Sequence, residues 1–167
     1  MGHIFLSYAR EDRAFAECAA RVLEGRGHTV WWDRHIESGE EFAAQIEAEL
    51  DKADVVLVGW SKQSVKSRWV RDEASVGGDT GRLVPVSVDG TRAPMGFRQF
   101  QTLDLTGWKA RKGDERTLDL LQAVERRMKG KPGTPVAAVE QAPEPHRRPA
   151  FVKSGRWRGS LQRRCSW

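Results

Sequence analysis

The run Val55-Val56-Leu57-Val58, set between Asp54 and Trp60, is the most continuous apolar stretch in the chain. A strand with one wet face alternates apolar and polar residues, so an unbroken run reads as a central strand covered on both faces. Two covered faces demand helices above and below a sheet. The flanking sequence supplies them. Residues 3–8 read as a short apolar strand, followed from Asp12 to Gly27 by Phe15, Cys18, Ala19, Val22 and Leu23 at helical spacing, with Gly25 and Gly27 as the stop. His28 to Trp32 is β-branched and aromatic, hence a second strand, and Asp33 to Glu40 is a polar loop containing Ser38-Gly39. Phe42, Ile46, Ala48 and Leu50 support a second helix, and the apolar run leads into a third, which Gly77-Gly78 and Gly81 are expected to stop.

Leu83 to Val88 makes a fourth strand, and Pro85 within it argues for an edge or near-edge place. Phe100 to Leu105 is a short fifth strand. Asp114 to Met128, with Leu118, Leu120, Leu121 and Val124, is a final amphipathic helix. Strands alternating with helices imply a parallel sheet with right-handed crossovers. The expected class is α/β, a flavodoxin-like five-stranded parallel sheet of order 2-1-3-4-5 with helices on both faces. Beyond residue 130 the pattern gives way to Lys131-Pro132-Gly133-Thr134-Pro135 and then Pro143, Pro145 and Pro149. Residues 1–130 are therefore expected to be the folded domain, 131–150 a Pro/Ala-rich linker and 151–167 a basic tail of poor order.

The charge of +5 on the 167 residues belongs to that tail. After Glu144 come seven Lys or Arg residues and no acid, which leaves 21 basic against 23 acidic residues, or −2, on the rest. Trp157 and Trp167 among these cations are compatible with contact to nucleic acid or anionic lipid, but a solvated, poorly ordered terminus is the favoured reading. Nucleic acid is not the expected partner. No stretch approaches the roughly eighteen apolar residues of a membrane span, and no basic region followed by an apolar run opens the chain, so the expectation is a cytoplasmic protein. Cys18 and Cys165 have no spacing for a metal or a disulfide framework. His3, His28, His35 and His146 lack metal-ligand spacing, so no metal is expected.

One residue in the third helix breaks its own surroundings. At roughly 100° per residue, Val65, Trp69, Val70, Ala74 and Val76 share an apolar arc, and Glu73 lies near its middle, with Lys66 also in the arc. A buried carboxylate without a partner is costly, so Glu73 either borders a cleft or sits at the rim paired with a group such as an arginine. Other chemistries find little support. Gly25-Arg26-Gly27 precedes a strand and is a helix stop, and Gly77-Gly78-Asp79-Thr80-Gly81 lacks the Lys-Ser/Thr of a phosphate loop. Ser61, Ser64 and Ser67 have no Gly-x-Ser-x-Gly context and no histidine near in sequence. The first strand also lacks the paired acids with which a receiver domain holds Mg²⁺.

Phe5-Leu6-Ser7-Tyr8 at the first strand end, Trp31-Trp32-Asp33 at the second, Ser38-Gly39 in the next loop and Trp69-xxx-Glu73 in the third helix jointly resemble a bacterial TIR (Toll/interleukin-1 receptor) domain over residues 1–130. The resemblance implies one of two functions. Some TIR domains are scaffolds that bind other TIR domains through the loop corresponding to Asp33–Glu40. Others cleave NAD⁺ between nicotinamide and ribose, giving ADP-ribose or a cyclic isomer, and use the glutamate matching Glu73. The enzymatic reading is favoured, with NAD⁺ as substrate and no cofactor, self-association as the activating event and antiphage defence as the setting. The alternative is a non-enzymatic TIR–TIR interaction module in signalling or host mimicry.

Catalytic duty then falls to Glu73. Trp69 would supply a stacking wall or pack in the core, Ser7 and Tyr8 would line the pocket at the first strand end, Arg10 would meet a phosphate or remain a solvated charge, and Ile36 would face the pocket from the second loop.

Overall fold

A computed structural model describes residues 1–32, 40–111 and 113–130, with the side chains of 40–42 excepted. Asp33–Gly39, which carries the expected pocket residue Ile36, lies outside the described residues, as do the expected linker 131–150 and tail 151–167.

The apolar run becomes β3 (Val55–Trp60), and all six of its residues are buried. Parallel neighbours flank it on both sides. β1 (His3–Ser7) pairs Ile4 with Val55 and Ser7 with Val58, and β4 (Leu83–Ser87) pairs Val56 with Leu83 and Trp60 with Ser87. β2 (Thr29–Trp31) adds outside β1, and β5 (Leu103–Asp104) outside β4. The order is β2-β1-β3-β4-β5, as the alternation of elements predicts. Pro85 sits opposite Val58 in a strand one in from the edge, matching the near-edge place inferred from its missing N–H.

Because successive strand residues point to opposite faces, the central strands divide their side chains between two cores. Ile4, Leu6, Val55, Leu57, Val84 and Val86 pack on α1 (Arg13–Glu24) and α4 (Glu115–Lys129). Phe5, Val56, Val58, Trp60 and Leu83 pack on α2 (Glu40–Lys52) and α3 (Arg68–Asp79). Among the described residues no helix is long and apolar enough to cross a membrane.

Several boundaries depart from the sequence reading. Asp12 belongs to a short 3₁₀ turn, Arg10–Asp12, that precedes α1. Val65 and Lys66 lie in another such turn, Ser64–Lys66, because the Ser67 hydroxyl accepts from the Val70 amide and starts α3 afresh. The arc drawn through all of them therefore joined two elements. Gly77 and Gly78 do not stop α3, which runs on to Asp79. Their role is close approach: a Cβ on Gly77 would stand 2.8 Å from Val56 Cβ, so the helix presses directly on β3. The stop comes at Gly81, whose φ of +69° suits glycine.

Candidate active site

Glu73 lies on the face of α3 turned toward the sheet and is 8% exposed. It meets Ser7, the last residue of β1, whose hydroxyl donates a hydrogen bond to Glu73 Oε2. The Trp69 side chain, one helical turn earlier, also hydrogen-bonds the carboxylate. As indole N–H is a donor only, both neighbours offer protons to Glu73. Burial disfavours the charged form and pushes the carboxyl up to about 7; the bonds from Ser7 and Trp69 pull the other way, and the nearby Asp72 adds a small upward push. Among the described residues no cation pairs with it.

The location follows from topology. β1 is flanked by β2 on one side and β3 on the other, so the strand order reverses at its carboxyl end, where open α/β sheets bind ligands. Ser7, Trp69 and Glu73 are brought together there. Trp69 is 46% exposed and is not among the residues of either buried core. Tyr8 is half-buried against the α1/α4 core, with its ring 6.3 Å from that of Trp32, whereas Glu73 belongs to α3, which packs on the other core. Arg10 is exposed on the 3₁₀ turn just beyond β1.

A polar bridge that the sequence did not reveal steadies this turn. Ser61, directly after β3, donates from Oγ to Asp12 Oδ2 at 2.5 Å and accepts from the amides of Ser64 and Gln63 at 3.1 and 3.2 Å. Ser64 Oγ accepts from the Ser61 amide at 2.7 Å. The Ser61-xx-Ser64 pattern is a visible turn signal, but its partner Asp12, 49 residues away, is not legible without the fold. Burial raises the Asp12 carboxyl above its ordinary value, the Ser61 bond opposes this, and Asp89 and Glu11 reinforce it.

A family model for the TIR domain matches residues 4–122. The chain belongs to the TIR domain family. The TIR domain of the Toll-related receptor TRR-2 from Hydra magnipapillata is similar at 18% identity, TM-score 0.61, over 77% of this chain and 98% of that one. A metazoan TIR-STING receptor from C. gigas, solved with 2′,3′-cGAMP, matches at 23% identity, TM-score 0.59, over 74% of this chain. The present chain spans only 39% of that receptor's length. The CMP N-glycosidase BcmB from Clostridium botulinum matches at 14% identity, TM-score 0.51, over 72% of this chain and 98% of that one. These likenesses show a shared fold. No curated protein matches the chain significantly.

Proposed function

We propose that this TIR domain is an NAD⁺ glycohydrolase in which Glu73 is the catalytic carboxylate, switched on by self-association and acting in bacterial defence. The observation that carries the reading is the buried Glu73 carboxylate at the carboxyl end of β1, held by Ser7 and Trp69 with no cation among the described residues to neutralise it.

In NAD⁺ the nicotinamide ring is already cationic. When the bond from its nitrogen to ribose C1′ breaks, the electron pair goes to that nitrogen, nicotinamide leaves neutral, and positive charge develops on the ribose. An ionised Glu73 offers an uncompensated negative charge to this oxocarbenium-like centre, the electrostatic device of glycoside hydrolysis. Water adds to C1′ and gives up a proton, which Glu73 can accept. Nicotinamide, ADP-ribose and one proton result. If a group of the ADP-ribose itself attacks in place of water, the product is cyclic. The half-exposed Trp69 supplies a flat surface for an aromatic ring of the substrate. N-glycosidic bond cleavage by BcmB lends support to such chemistry on this architecture.

The test is NAD⁺ consumption by concentrated protein, wild type beside Glu73→Ala, with products separated by chromatography and the chains gathered on beads or by a crowding agent. Nicotinamide release that disappears in the variant is expected. Absence of release from the wild type under every clustering condition overturns the proposal in favour of a TIR–TIR interaction module.

A further inference from the structure

At the carboxyl ends of β4 and β5 the segment that follows Ser87 forms a cavity of about 460 Å³, within the size range of small-molecule sites. Its walls are anchored. Ala93 and Phe97 are buried in the α2/α3 core, where the Phe97 ring lies 5.2 Å from that of Trp60. The Ser87 hydroxyl donates to the Thr91 carbonyl at 3.0 Å, and the Thr91 amide donates to Asp89 at 3.0 Å. Neither Ser7 nor Glu73 lines this space.

Two guanidinium groups, Arg92 and Arg98, do line it. Arg98 donates from Nε to the Ala93 carbonyl at 3.2 Å, which fixes the base of its fork. Among the described residues neither arginine forms an ion pair, in contrast to Arg116, bound to Asp114, and Arg13, bound to Glu17. Two cations against one carboxylate, Asp104, leave a net positive concave surface that selects an anion, and guanidinium geometry suits phosphate.

The remaining lining makes the ligand more than a bare anion. Asp104 accepts from the Thr106 amide and hydroxyl at 2.9 and 2.6 Å, both on Oδ1, leaving Oδ2 able to accept from a ligand hydroxyl. A carboxylate would repel an isolated phosphate, but it is the group that commonly holds ribose hydroxyls. Phe100 is half-buried and backed by α3, since a Cβ on Gly78 would stand 3.2 Å from its Cζ. This gives a supported aromatic wall against which a base can stack.

We propose that the cavity binds a nucleoside monophosphate, with Arg92 and Arg98 on the phosphate, Asp104 on the ribose hydroxyls and Phe100 against the base. The site is separate from the Glu73 centre and does not depend on the reaction assigned there.

Titration calorimetry of the full chain with AMP, adenosine and inorganic phosphate tests it. Saturable AMP binding is expected, preserved in Glu73→Ala and weakened about tenfold or more in Arg92→Ala, with adenosine and phosphate each binding about tenfold more weakly than AMP. Arg92 makes no hydrogen bond among the described residues, so its replacement leaves the loop anchored even where Arg98→Ala disturbs it. No saturable AMP binding, binding that survives Arg92→Ala, or binding lost in Glu73→Ala would each overturn the assignment. Phosphate binding as tightly as AMP would overturn the nucleoside part of it.

Discussion

Replacing Glu73 with glutamine should make the protein more stable at alkaline pH while removing activity. The carboxyl titrates near 4.5 in an unfolded chain and about 7 in the fold, because burial penalises its charge. Between these values the native state holds the proton that the unfolded state has released, so stability falls as pH rises through the window. At 1.36 kcal/mol per pKa unit the full penalty is about 3.4 kcal/mol; some 0.8 is already present at pH 5, so about 2.5 kcal/mol accrues between pH 5 and pH 8. A glutamine side chain carries no charge at either pH. With a single oxygen it satisfies Ser7 and Trp69 less well, at about 1 kcal/mol, but that loss does not vary with pH. Chemical denaturation of both proteins at pH 5, 6, 7 and 8 isolates the electrostatic part, because only the pH dependence of the difference is read. The stability of Glu73→Gln relative to wild type should climb by about 2.5 kcal/mol across the series. A difference that stays flat within about 0.5 kcal/mol would mean that Glu73 titrates as an ordinary solvated carboxyl, and the assignment of a buried, uncompensated charge would fall.

The same shift predicts that NAD⁺ cleavage increases through about pH 7 and levels above it, since the ionised carboxylate is the useful form. Ser7→Ala removes a bond that favours the charged form, so the rise in a pH–rate profile should move to higher pH, with a stability loss of about 1 kcal/mol. Trp69→Ala should change unfolding free energy by about 1 kcal/mol or less, because the ring is half-exposed, yet lower kcat/KM about tenfold or more; equal losses in both would restore a packing role. Gly77→Ala should destabilise by about 1–3 kcal/mol in thermal or chemical unfolding despite the better helix propensity of alanine, because its methyl would meet Val56 at 2.8 Å.

The elements that were legible from sequence share one property: their signal is local. An unbroken apolar run, a 3.6-residue spacing and a proline in a strand each state their structural consequence within a dozen residues, and β3, α1, α4 and the place of β4 followed from them. The errors were also local in origin. Gly77-Gly78 reads as a stop until the approach of α3 to Val56 is known, because glycine's missing side chain serves a turn and a tight contact equally well. The extended arc through Val65 failed because the Ser67 cap resets the helical phase, and the capping hydroxyl was a sequence signal that could have been used. Glu73 stood out because it violated its surroundings, but its partners could not be read, since Ser7 lies 66 residues away and meets it only through β1. The bridge from Asp12 to Ser61 is hidden for the same reason.

The identity of Glu73's partners decides what the residue can do. Had the carboxylate been paired with an arginine, its charge would have been cancelled by a permanent cation, its pKa pulled below the ordinary value, and the fold stabilised at neutral pH. A hydroxyl and an indole hold it in place without cancelling its charge. The fold therefore carries a group that costs stability when ionised and that no cation among the described residues relieves, so a positive species arriving from outside can do so. In bound NAD⁺ the positive charge sits on the nicotinamide ring, and as the bond breaks it moves onto the ribose; a carboxylate placed on the ribose side gains most at the transition state, the condition under which an interaction accelerates a reaction as well as tightening binding. In Glu73→Gln the stability regained above pH 7 and the activity lost there report one charge, and a variant that shows either without the other separates the electrostatic account from a steric one.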